Sequence, residues 1–100
     1  ERFAQSFVRG KHNYKLWGKN RIINELKYRN ISSRIIEIAL KEIPETTYLS
    51  NFHALAEKNW ENSTERKGPK KNKKFVDFLL RKGYETALIY EKLRELDPNQ

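Results

Sequence analysis

The chain has 100 residues, about one domain's worth, with 21 lysines and arginines against 13 aspartates and glutamates, a net charge of +8. At 37% apolar and 12% aromatic it is lean in core-forming side chains, yet too apolar and too aromatic for a disordered chain. It has no cysteine, which excludes disulfide scaffolds, zinc fingers, thiol catalysis and iron–sulfur sites.

Phe3, Ala4, Phe7 and Val8 recur at the spacing of one helix stripe and predict a first helix running to about Tyr14. Trp17-Gly18 makes a turn. A second helix follows from about Lys19, with Ile22, Ile23 and Leu26 on one side. Asn30 sits just past it, and asparagine tolerates the left-handed conformation that ends a helix. Ser32 is a good N-cap; with it as cap, Ile31 and Ile36 form a hydrophobic staple across the helix start. The third helix places Ile35, Ile36, Ala39, Leu40 and Ile43 on one face, and Pro44 is expected to stop it.

Tyr48, Leu49, Phe52, Leu55, Ala56 and Trp60 predict another amphipathic helix, capped by Thr46 or Thr47. A basic turn spans roughly residues 62–68. Gly68-Pro69 is a helix-start signal, and Phe75, Val76, Leu79 and Leu80 form the next stripe. Gly83 ends that helix. Leu88, Ile89, Leu93 and Leu96 mark the last one, closed before Pro98.

Shifted by 53 residues, the first unit falls on the second. Ile22 lands on Phe75, Leu26 on Leu79, Asn30 on Gly83, Ile31 on Tyr84, Ile36 on Ile89 and Leu40 on Leu93. Both chain-reversing positions carry residues suited to a left-handed cap. The staple survives as Tyr84 with Ile89, although Glu85 is a poorer cap than Ser32. The fold class expected is all-α, a tandem of two three-helix repeats over residues 1–44 and 45–100. Units this small are marginal alone, so neighbouring units should contact each other and make an elongated, curved body. Phe3, Phe7, Phe52, Trp60, Phe75 and Phe78 are expected to carry much of the burial, each fully buried ring contributing on the order of a few kcal/mol.

The positive charge is concentrated. Residues 9–34 carry eight basic groups and one acid, Glu25; residues 66–82 carry eight and one acid, Asp77. The stretches between and after them are net acidic. Two such blocks in matching places point to docking surfaces. The candidates are Lys11, Lys15, Lys19, Arg21, Lys27, Arg29 and Arg34 in the first, and Lys67, Lys70, Lys71, Lys73, Lys74, Arg81 and Lys82 in the second. Arginine supplies bidentate contacts to carboxylate or phosphate and lysine a point charge. Trp17 and Tyr14 sit in a basic turn, where an exposed ring could stack on a base or anchor a partner; the simpler reading packs Trp17 under the turn as core.

No catalytic constellation stands out. The four glycines are isolated, so no phosphate loop is present. His12 and His53 lie far apart, lack triad spacing and read as surface or helix-face residues. Glu91 and Glu95 lie one turn apart on a solvent face. No metal, cofactor or enzymatic activity is expected. Apolar runs reach three or four residues, far short of the roughly 20 that span a bilayer, and no signal peptide is visible. A soluble, cytoplasmic monomer with no membrane partner is expected. With Glu1 first and no methionine, the chain is expected to be a piece of a longer protein.

Glu1-Arg2-Phe3-Ala4, Phe7-Val8, Lys11, Trp17-Gly18, Ile22, Leu26 and Ile31-Ser32, followed by Ile35, Ile36, Ala39 and Leu40, resemble the RecX family of recombination regulators. The likeness covers essentially the whole chain and is strongest over residues 1–43. Asn30 departs from the family's usual glycine before Ile31, although Gly83 keeps it before Tyr84, and the second unit's first helix matches in pattern alone. The family commonly has three such units. The resemblance implies that these are the middle and C-terminal ones, with the first missing. It also implies a modulator lying in the groove of the RecA–DNA filament, touching the recombinase and single-stranded or duplex DNA, and limiting ATP hydrolysis, strand exchange and co-protease activity. The rival is a helix-turn-helix DNA-binding module. Against it, the third helix offers Arg34 and Lys41 but also Glu37 and Glu42, and the last helix is net acidic, whereas recognition helices are basic.

Overall fold

The computed structural model describes residues 2–99. They form six helices and, among the described residues, no strand: α1 (Arg2–Lys15), α2 (Lys19–Tyr28), α3 (Ser33–Leu40), α4 (Glu45–Asn62), α5 (Pro69–Lys82) and α6 (Thr86–Leu96). The main helix–helix contacts run among α1, α2 and α3, and separately among α4, α5 and α6. The body measures 45 × 24 × 20 Å with a radius of gyration of 14.7 Å. A compact chain of this length would have about 13 Å, so the two triplets lie end to end.

Local chemistry explains most helix boundaries. Ser32 Oγ accepts the backbone N–H of Ile35 at 3.3 Å, and Ile31 packs on the core beside Ile36. Asn30 has φ 64° and Gly83 φ 101°, so both chain-reversing positions adopt the left-handed conformation. Gly68 precedes Pro69, the first residue of α5. The 53-residue shift carries Ser33, the start of α3, onto Thr86, the start of α6. The first helices repeat at a different offset: Ala4, Val8 and His12 in α1 correspond to Phe52, Ala56 and Trp60 in α4, all buried. The six-residue connection over 63–68, against three residues over 16–18, takes up most of the difference.

Several expectations are corrected. α1 runs one residue further, to Lys15. α3 ends at Leu40, and Ile43 is buried from the turn that follows, where its N–H reaches Leu40 O at 3.2 Å. Pro44 does not stop α3; it occupies the N-cap position of α4, and Thr46 and Thr47 lie inside that helix rather than capping it. Phe3 and Leu80 are 47% and 45% exposed, because each flanks its stripe rather than centring it. The largest fully buried rings include Tyr48 and Tyr84, which join the triplets.

That junction is a polar seam. Gly18 N–H donates to Lys82 O at 2.7 Å and Asn20 N–H to Gly83 O at 2.9 Å, pairing the α1–α2 turn with the α5–α6 turn. Tyr84 Oη donates to Leu16 O at 2.8 Å. Tyr48 Oη accepts from Lys19 N–H at 2.9 Å and donates to Glu85, which occupies the carboxylate that could otherwise have capped α6. Leu16 sits at φ 57°, a conformation that costs an ordinary residue about 1–2 kcal/mol and that these bonds hold in place. A file of rings runs through the seam: His12 to Tyr48 at 5.2 Å, Tyr48 to Tyr84 at 5.5 Å, Tyr84 to Phe52 at 5.1 Å. The glycines permit the approach. A Cβ on Gly18 would fall 2.4 Å from the Gly83 carbonyl, and one on Gly83 would meet Arg21 Cβ at 2.3 Å.

Gly18→Ala should therefore destabilise the protein by about 1–3 kcal/mol through a backbone clash. Gly10→Ala, inside α1 with nothing within 4 Å, should stabilise it by about 0.5–1 kcal/mol; urea denaturation of both checks the pair. Burial first, then the bond to Glu85, pushes the Tyr48 phenol far above the usual tyrosine range. Burial and the nearby Glu85 charge do the same to Tyr84. A raised phenol favours the neutral form in the folded state, so its stabilisation is full below pH 10 or so and is lost as pH rises further. Spectrophotometric titration should show Tyr48 and Tyr84 ionising only as the fold is lost, and their ionisation in the native protein near pH 10 would refute the seam as described.

Candidate functional site

In one cluster at the seam the structure brings together four of the fourteen basic candidates, two from each sequence block. Arg21 Nη1 donates to Arg81 O at 3.1 Å, and Lys82 Nζ donates to Lys15 O at 2.9 Å. Each triplet thus contributes a cation to the last helical turn of the other, where α1 and α5 leave carbonyls unpaired and the helix dipole favours positive charge. Burial, followed by the neighbouring Arg21 and Lys15 charges, holds the Lys82 ammonium below its usual range. Among the described residues, no carboxylate pairs with the side chains of Lys15, Arg21, Arg81 or Lys82, so the seam carries unneutralised positive charge.

Trp17 packs on the core in the turn above this cluster, edge-on to Phe7 at 6.3 Å. Arg21 lies 4.1 Å and Lys11 4.8 Å from the Trp17 ring centre, so both cations cover its faces. Lys19 is also a seam residue, 3.2 Å from Glu45 and 4.4 Å above the Tyr48 ring. Arg29 pairs with Glu25 at 3.6 Å and stacks near Phe7. Lys27 and Arg34 are exposed, with no carboxylate partner among the described residues.

The second block is more neutralised than its charge count suggests. Glu65 holds Lys74 at 2.7 Å and Lys70 at 3.9 Å, and the bond from Lys74 keeps the Glu65 carboxyl below its usual range. Lys73 pairs with Asp77 at 2.8 Å, and Lys71 covers the Trp60 ring at 4.1 Å. Lys67 is exposed at the α4–α5 connection without a carboxylate partner among the described residues. Pairs this exposed contribute about 0–1 kcal/mol, so a polyanion can displace them. The fourteen residues do not form one stripe. Lys71, Lys74 and Arg81 border a shallow cleft of about 480 Å³ beside Trp60 and Phe78, while Lys73 and Lys67 border other depressions.

Three buried polar residues, His12, Lys92 and Asp97, escaped sequence reasoning. His12 is fully buried, not on the surface. Asn51 Nδ2 donates to its Nε2 at 3.0 Å, and its Nδ1 donates to Trp17 O at 3.0 Å, which fixes the proton on Nδ1 and ties α1 to α4. Lys92, 3% exposed, is held by Glu57 and Glu95 at 2.7 Å each and braces α6 against α4. Its spacing from Ile89, on the inward stripe of α6, is the signal that was available. Among the described residues, no group of three or more histidines and carboxylates could hold a metal, and no helix is long and apolar enough to cross a membrane.

No curated protein and no solved structure matches the chain. Two family descriptions do: "RecX, second three-helix domain" over residues 1–40 and "RecX, third three-helix domain" over residues 46–93. The first stretch ends with α3 and the second begins one residue into α4, so the matches divide the chain where its packing does. Together they take in most of the sequence, and the chain therefore belongs to the RecX family, whose members regulate the RecA recombinase.

Proposed function

We propose that the chain binds the RecA filament assembled on DNA and restrains it, limiting ATP hydrolysis, strand exchange and co-protease activity without catalysing a reaction. The observation that carries this reading is the match of both triplets, in order, to consecutive RecX domains. The working units are residues 1–44 and 45–100, and the protein acts as a monomer in the cytoplasm without a cofactor.

The geometry supports a mechanical form of restraint. A filament is a regular polymer whose subunits shift relative to one another as nucleotide turns over. A ligand 45 Å long, with its two ends locked together, can bridge neighbouring sites and oppose that shift. Lys15, Lys27, Arg34 and Lys67 are the cations best placed to reach DNA phosphates, since none must first leave a carboxylate. The helix-turn-helix alternative gains no support. The exposed side of α3 carries Glu37 and that of α6 carries Glu91 and Glu95, which a phosphate-lined groove would repel.

Added to RecA filaments on single-stranded DNA, the chain should co-sediment with them and slow ATP turnover; unchanged turnover at saturating protein would overturn the reading. Replacing Lys15, Lys27, Arg34 and Lys67 together by Gln should flatten the salt dependence of binding by about 0.7–0.9 in slope for each phosphate no longer neutralised. Replacing Lys70, Lys73 and Lys74, which are already paired, should flatten it less. Equal slopes for the two variants would contradict the assignment.

A further inference from the structure

One face of the molecule exposes apolar side chains that neither core absorbs. Tyr28 is 85%, Leu80 45% and Tyr90 43% exposed. They adjoin. Tyr28 and Leu80 line one shallow depression together with Arg21 and Arg81, and Leu80 and Tyr90 line the next, together with Lys73 and Asp77. Leu80 is common to both, so a stripe runs from the end of α2 across the seam and α5 onto α6. Because the seam locks the triplets, residues from both present one continuous surface.

We propose that this stripe is the surface that docks a partner protein, and that its occupant is a segment whose apolar side chains are flanked by carboxylates. The assignment rests on the filament-binding reading above and names the part of the molecule that meets the recombinase rather than the DNA. Four considerations select this occupant. Tyrosine and arginine are side chains on which binding energy concentrates at protein interfaces. The charges left unmatched along the stripe are Arg21 and Arg81, since Glu25 is paired with Arg29 and Asp77 with Lys73; acidic flanks on the partner satisfy them. Nucleic acid fits poorly, because Leu80 at the centre of the stripe offers no stacking face and interrupts the run from Tyr28 to Tyr90. A second copy of the chain also fits poorly, since an isologous contact presents the stripe to itself and brings Arg21 and Arg81 no unpaired carboxylate.

The test compares binding of the full chain to RecA filaments on single-stranded DNA with binding to the same DNA bare, at one salt concentration. Tyr28→Ala with Leu80→Ser and Tyr90→Ala should lower filament affinity about tenfold or more, with bare-DNA affinity and helical circular dichroism unchanged. Tyr28→Ala alone, at a side chain that touches little, should shift filament affinity in the same direction and keeps the test valid if the triple variant unfolds. Ile38→Ala, about as exposed as Tyr90 but on α3 and outside the stripe, should change neither affinity. Unaltered filament affinity in the Tyr28 and triple variants, or equal loss on filament and bare DNA, would overturn the docking surface while leaving the function intact. Failure of the wild-type chain to bind filaments would overturn the function and the surface with it.

Discussion

The structure depends on the joint between two short turns. Gly18 and Gly83 lie so close that neither leaves room for a Cβ, and two backbone hydrogen bonds cross between their loops. Each triplet alone has a small core, and units of this size bury too little surface to be robust. The joint compensates with a fully buried layer of Tyr48, Tyr84, Phe52 and His12, shared between the units. The layer is polar as well as aromatic. Every hydroxyl and ring nitrogen named in it has a partner, and this directionality fixes how the triplets meet in a way that apolar contact alone would not.

Function follows from that fixed relation. Two triplets on a loose linker would present two independent surfaces; locked together they hold Lys15, Arg21, Arg81 and Lys82 in one cluster. Under the proposed function, the cross-capping cations serve binding and architecture at once. Arg21 and Lys82 complete the ends of helices in the opposite triplet through a single N–H each, which leaves further donors on both side chains. Positive charge at the seam is tolerated because two helix C-termini converge there and offset part of it. The ion pairs along α5 are of a different kind, exposed and exchangeable, so they contribute little to holding the fold.

Much of this was legible in the sequence, and the physics says why. Helices, caps and repeat register are local: the stripe spacing, Ser32, Asn30, Gly83 and Gly68-Pro69 each act within a turn or two, and all sit where their chemistry predicts. The resemblance to the RecX family was visible in the same residues. The seam was not, because Tyr48 and Tyr84 read as ordinary members of an apolar stripe and a staple until their hydroxyls are placed 37 and 68 residues away in sequence, on Glu85 and Leu16. His12 looked like a surface residue, although its four-residue spacing from Ala4 and Val8 marked it as inward. Counting charges located the basic blocks but could not show that Glu65 neutralises part of the second across a bend in the chain.

The most direct test of the locked joint uses the absence of native cysteine, which leaves paired spin labels free of competing sites. With labels at Ser33→Cys on α3 and Ala87→Cys on α6, both exposed, double electron–electron resonance should return a single narrow distance distribution in solution. A broad or multimodal distribution would mean that the triplets move independently and present no continuous binding face, which would contradict the locked joint.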